Sequence, residues 1–145
     1  MVKSKILVIG SNNNTFNPVT SAPANSGKVE ASFIVPPAWV LSDRLGVPRI
    51  ENTPGPSMSC NETNGNCLIY GGHKLNQLEE VNRTDYDTVI VFLSQVSAEE
   101  NDRQSLFFND TDDQKIVSFL EEIHQTKKVI TVMIAPGAVV TYKWA

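Results

Sequence analysis

The chain is poor in most of the features that announce a function. Lys and Arg number 12 against 16 Asp and Glu, a net charge of −4, and the basic residues form no patch or stripe. Nucleic-acid binding relies on clustered cations that displace counterions from phosphates, so that class of partner is not expected. No apolar run approaches the roughly 18–20 residues that a membrane-spanning helix needs, so no membrane is expected either. No G-x-G-x-x-G or G-x-x-x-x-G-K-[ST] follows an apolar run, so the backbone cradle that holds a dinucleotide or nucleoside triphosphate is missing. Ser94, Ser97 and Ser105 lie in one region, but no G-x-S-x-G elbow activates any of them. The two histidines, His73 and His124, have no Cys, Asp or Glu at metal-ligand spacing. They read as solvated or capping residues, and neither a metal nor a cofactor is expected.

Cysteine is also scarce. Cys60 and Cys67 flank the segment NETNGN, and no CxxC or second pair completes a zinc site. Two readings stay open: unrelated thiols, or a local disulfide formed in an oxidising compartment. Four N-x-[ST] sequons, beginning at Asn13, Asn61, Asn82 and Asn109, bear on the compartment. They fit either an Asn-rich composition or N-glycosylation of a parent protein that is secreted or extracellular. The opening MVKSKILVIG has only ILVI as its apolar part and no small-residue cleavage site, so it reads as a buried strand rather than a signal peptide.

With 145 residues, 41% hydrophobic and 19% charged, the composition suits one domain with a real core. KILVIG (5–10) is a continuous apolar run of the kind buried on both faces of a parallel sheet. Residues 11–30 are a long Asn/Ser/Thr/Pro/Gly-rich loop. SFIVPP (32–37) is a brief extended piece leading to a helix over 38–46, with Pro37 in its first turn, an apolar side of Trp39, Val40 and Leu45, and Gly46 at its end. Residues 47–66 read as a second loop, CLIYGG (67–72) as a strand, and 73–86 as a short amphipathic helix built on Leu75, Leu78 and Val81. DTVIVFL (87–93) is the clearest strand. The clearest helix spans 111–126, capped by Thr111 or Asp112, with a stripe of Ile116, Val117, Leu120 and Ile123. KKVITVMIAPG (127–137) closes the pattern as a strand. Strands alternating with helices predict an α/β fold: a flavodoxin-like three-layer α/β sandwich with a mostly parallel sheet. The expected covering helix after the last strand is missing, so the sheet is expected to be truncated at its C-terminus.

Between the strand at 87–93 and the helix at 111–126 lies SAEENDRQSL, with Glu99, Glu100, Asp102 and Arg103. In open α/β sheets ligands sit beyond the carboxyl ends of strands, so this acidic loop is the candidate site. A glutamate crowded by like charges has its protonated form favoured, which suits a general acid, while Arg103 acts in the other direction. The bland reading of the same residues is a solvated charged loop.

The stretch from Asp87 to Trp144 resembles the α/β sandwich domain of glycoside hydrolase family 3, which includes β-glucosidases and β-xylosidases. The matching positions are Glu99, Asp102, Arg103, Ser105, Leu106, Gln114, Pro136, Gly137, Val139 and Trp144. KILVIG is similar to that domain's first strand, and SGKVEASFIVPPAWVLSDRLG to the segment that enters its next helix. The resemblance implies a single partial sandwich domain over 1–145, which in the family follows a (β/α)8 barrel that this chain does not contain. It implies that Glu99 is the acid/base residue, with Glu100 as the alternative, and that Asp102 and Arg103 hold the loop by hydrogen bonds and an ion pair. The implied reaction is retaining hydrolysis of β-glucosides or related β-linked sugars. The barrel supplies the nucleophilic aspartate, with carboxyl groups about 5–5.5 Å apart. The implied partners are a β-linked sugar substrate and the barrel of the parent chain. In the family, glycines flank the glutamate and an aromatic precedes the Asp-Arg pair. Here Ala98, Glu100 and Asn101 stand in those places, which also fits a non-catalytic carbohydrate- or partner-binding module. The chain alone is expected to turn over no substrate.

Overall fold

The computed structural model describes residues 3–9, 35–50, 57–71, 85–94 and 111–134. Among them run β1 (Lys5–Ile9), α1 (Pro37–Leu45), β2 (Ser57–Cys60), β3 (Cys67–Tyr70), β4 (Thr88–Ser94), α2 (Thr111–Ile123) and β5 (Lys128–Ile134). The strands form one mixed, mostly parallel sheet in the order β2-β3-β1-β4-β5, and with the two helices this is an α/β fold.

β1 is central because it is apolar on both faces. It pairs in parallel with β3 (Leu7 opposite Ile69) and with β4 (Leu7 opposite Val89). β4 pairs in parallel with β5, from Thr88 opposite Lys128 to Ser94 opposite Ile134. Side chains alternate across a strand, so β1, β3 and β4 each feed two cores. Leu7 and Ile9 join Ile69, Val89 and Val91 under Phe119, Leu120 and Ile123 of α2. Ile6 and Val8 face the other way, with Leu68, Tyr70 and Phe92, toward Leu41 and Leu45 of α1. Leu7, Ile9, Leu68, Val89 and Val91 have essentially no solvent exposure.

α1 begins where Pro37 occupies the first turn, a position whose missing N–H costs nothing. It stops at Gly46, whose φ of 67° is left-handed and lets its N–H and that of Val47 reach back to Asp43 O and Ser42 O. The inward face is Ala38, Leu41, Ser42 and Leu45, the i, i+3, i+4, i+7 row. This corrects the expected stripe. Val40 is 46% exposed, and Trp39 turns aside to lie under the Arg49 guanidinium, 5.2 Å from its ring centre. Arg49 also grips Asp43 through two hydrogen bonds of 3.0 and 2.7 Å, which hold the Asp43 carboxyl below the usual carboxylate range.

Three further boundaries differ from the sequence reading. The loop expected over 47–66 contains β2, an antiparallel edge strand paired with β3 from Ser57 opposite Tyr70 to Cys60 opposite Cys67. Four residues with two serines and one exposed methionine carry no periodic signal, and the pairing comes from β3 rather than from local preference. Of the helix expected over 73–86, residues 73–84 lie outside the described residues, and Asp85 and Tyr86 are not helical. α2 ends at Ile123, so His124 lies just beyond it rather than inside it. There its Nδ1 sits 2.6 Å from Glu121 O. Phe119 takes a core place in the stripe, while Val117 is only half-buried.

Candidate functional site

The sheet has two ends with different chemistry. At the amino end, polar groups close on one another. Asp87 accepts from the Lys5 N–H (3.1 Å) and from the Thr88 hydroxyl (2.9 Å), and its own backbone joins β1 to β5 through Lys5 O and the Lys128 N–H. Lys127 donates its ammonium to Tyr86 O at 2.6 Å and lies 5.1 Å from the centre of the Tyr86 ring.

The segment between the cysteines is at this same end. Cys60 and Cys67 are joined by a disulfide across β2 and β3, and no free cysteine exists. The closed loop holds three asparagines that act as paired donors and acceptors. Asn61 Oδ1 accepts from the N–H groups of Thr63 (2.8 Å) and Asn64 (3.2 Å), an Asx turn, while its Nδ2 donates to Gly46 O at 2.6 Å. Asn64 Oδ1 accepts from the Asn66 N–H (2.9 Å), and its Nδ2 points to Leu45 O (3.3 Å). Asn66 Nδ2 donates to Leu45 O (3.1 Å), and its Oδ1 accepts from the Ser4 N–H at the start of β1 (3.1 Å). Helix ends leave their last carbonyls without partners, and here side-chain amides from the hairpin satisfy them. One short loop therefore fastens α1, β1 and the β2–β3 hairpin together. Gly65, at φ 72°, makes the turn in a conformation that other residues rarely adopt.

The carboxyl end is where a ligand site belongs in such a sheet. From β1 the chain proceeds through α1 to β3 on one side; from β4 it proceeds through α2 to β5 on the other. β1 and β4 are neighbours, so the direction of the connections reverses between them. A reversal of this kind opens a crevice outside the strand ends. β1 ends there at Ile9 and β4 at Ser94.

The sequence-derived candidates Glu99, Glu100, Asp102 and Arg103 lie outside the described residues, as do the sequons at Asn13, Asn82 and Asn109 and the histidine His73. Asn61 is placed, at the amino end and away from that crevice. Among the described residues, no group of three or more His, Cys, Asp or Glu side chains could hold a metal, and no helix is long and apolar enough to cross a membrane. The clasp of Asn64 and Asn66 escaped sequence reasoning, although the NETNGN spacing between two cysteines was a signal for it. Ser42 escaped too. It is wholly buried, and its hydroxyl has no hydrogen-bond partner among the described residues. Compared with known protein families, with curated proteins and with solved structures, the chain gives no match.

Proposed function

We propose that this chain is the flavodoxin-like three-layer sandwich domain of a retaining β-glycoside hydrolase of the family 3 type, and that its loop after β4 contributes the acid/base glutamate. The observation that carries the reading is the strand order. β4 is next to β1 at the reversal point, and Glu99 follows five residues after Ser94, where β4 ends at the carboxyl edge of the sheet. The Glu-x-x-Asp-Arg spacing of Glu99, Asp102 and Arg103 supports the same reading.

In this role Glu99 protonates the leaving glycosidic oxygen and then takes a proton from the attacking water. The nucleophilic aspartate comes from the barrel of the parent enzyme. Asp102 and Arg103 position the loop, and Glu100 is the alternative acid. The parent protein is secreted or extracellular, in keeping with the Cys60–Cys67 disulfide.

The test uses the parent enzyme with its barrel. Glu99→Gln lowers kcat on an alkyl β-glucoside by roughly 10²–10⁴-fold, the range for losing a general acid. A nitrophenyl β-glucoside, whose leaving group needs no proton, suffers less in the step that forms the glycosyl-enzyme. Wild-type kcat on the alkyl substrate refutes the assignment of Glu99, and the same loss in Glu100→Gln alone transfers the role to Glu100. Saturable binding of cello-oligosaccharides by the chain, together with full activity of both variants, identifies a non-catalytic binding module instead.

A further inference from the structure

The asparagine loop contains the chain's one Asn-Gly dipeptide, Asn64-Gly65. Asn-Gly is chemically the most labile peptide pair, because glycine has no side chain to shield its backbone nitrogen. We propose that Asn64 is a site of deamidation that the native clasp holds in check, and that conversion to aspartate unfastens α1 from the hairpin.

The step balances without any further reagent. The Gly65 backbone nitrogen, having given its proton to solvent base, attacks Cγ of Asn64. The Cγ–Nδ2 bond breaks and ammonia leaves, forming a cyclic imide. Water opens the ring to aspartate or iso-aspartate. The sum is one water consumed and one ammonia released, with nothing oxidised or reduced.

Three contacts oppose the attack in the folded chain. The Gly65 N–H is held by Asn61 O at 2.8 Å, so the nucleophile is occupied. The Asn64 amide is held at both ends, by Leu45 O and by the Asn66 N–H, so its carbon cannot turn toward Gly65 without breaking both bonds. The Cys60–Cys67 disulfide closes the loop that carries them and limits its opening. Asn64 is only partly buried, so water and base reach it once the loop opens. Attack therefore waits on local opening.

The product reverses the local electrostatics. Nδ2 of Asn64 donates toward Leu45 O, at the negative end of α1. A carboxylate oxygen in that place faces a carbonyl oxygen and the helix dipole, and both repel it. An iso-aspartate adds a main-chain methylene and displaces the Gly65 N–H from Asn61 O.

The experiment ages the full-length oxidised chain in mildly alkaline buffer, alone and in concentrated urea, and maps peptides by mass spectrometry that separates aspartate from iso-aspartate at position 64. Asn64 is expected to convert roughly tenfold or more slowly in the native chain, the factor set by the cost of local opening. Equal rates with and without urea overturn the protection. A chain carrying Cys60→Ala and Cys67→Ala is expected to convert faster than the oxidised native chain. An unchanged rate in that chain, if it is folded, removes the disulfide from the argument and overturns its part of the proposal. The deamidated fraction, isolated by charge, and Asn64→Asp are both expected to melt below Asn64→Ala. If Asn64→Asp melts at or above Asn64→Ala, the electrostatic unfastening is wrong.

Discussion

Ser42→Ala removes a hydroxyl that the fold has buried without a partner among the described residues, and it should make the protein more stable. Ser42 sits in the middle of the inward face of α1, which packs against β3, and its side chain has no exposure. Three effects compete. Burying an unpaired hydroxyl costs about 1–3 kcal/mol on the scale of protein substitutions, and the variant recovers it. Alanine is a better helix former than serine by about 0.5 kcal/mol. Against these, removing one oxygen opens a void of about 20 Å³, worth about 0.5 kcal/mol at the cost per volume known for core cavities. The balance favours the variant by about 1–3 kcal/mol, or about 3–10 °C in Tm for a chain of this length. Thermal and urea unfolding of the oxidised chain measure it, with the urea slope unchanged so that the midpoint shift reports stability alone. Ser42→Val serves as the control. It also removes the hydroxyl, but it adds bulk at a fully buried position and a β-branched residue to a helix, so it should lose stability. Should Ser42→Ala prove equal to or less stable than the native chain, the hydroxyl has a partner and the account of this helix face is wrong.

Asn66→Ala removes two side-chain hydrogen bonds, to Ser4 and Leu45, and should cost about 2 kcal/mol by denaturant titration. A loss below about 0.5 kcal/mol would show that the clasp adds nothing beyond what solvent supplies. Replacing both Cys60 and Cys67 by alanine should cost about 2–3 kcal/mol in the chain-entropy account of so short a loop, a separation of 7 residues. The midpoint of urea unfolding checks this, and a neutral result would locate the loop's order in its asparagines alone. Burial raises the Tyr70 phenol above its usual range, so the neutral form is favoured in the fold. Its contribution to stability is complete below the unfolded pKa of about 10 and is lost as pH rises through the folded value. Alkaline unfolding of Tyr70→Phe, followed by circular dichroism, should therefore begin at higher pH than in the native chain, and an identical profile would refute the linkage.

Much of the scaffold was legible because it rests on local patterns. The continuous apolar runs at 5–10, 67–72 and 87–93 each coincide with a strand buried on both faces, and the run at 127–137 holds the edge strand β5, whose Ile130 and Met133 stay exposed. Pro37 and Gly46 marked the ends of α1 through their own backbone limits. β2 was not legible, because Ser57–Cys60 is a strand only by virtue of its partner β3. The inward face of α1 was misread for a related reason. Trp39 and Val40 are more apolar than Ser42, but the helix turns to fit the surface of β3, and Arg49 supplies Trp39 with a cover of its own. The acidic loop of Glu99, Glu100, Asp102 and Arg103 was legible as a candidate from its place after a buried strand, whereas the clasp of Asn61, Asn64 and Asn66 looked like an ordinary polar loop.

Composition and periodicity by themselves determined that this chain builds a mostly parallel sheet with helices, because hydrophobic spacing is a property of neighbours along the chain. The strand order, the reversal between β1 and β4, and the fastening of one hairpin loop to the far end of α1 were decided only by the tertiary structure. Those features join residues dozens of positions apart, and no local preference encodes which of several equally apolar strands will lie side by side. That choice belongs to the packing of α1 and α2 against the sheet.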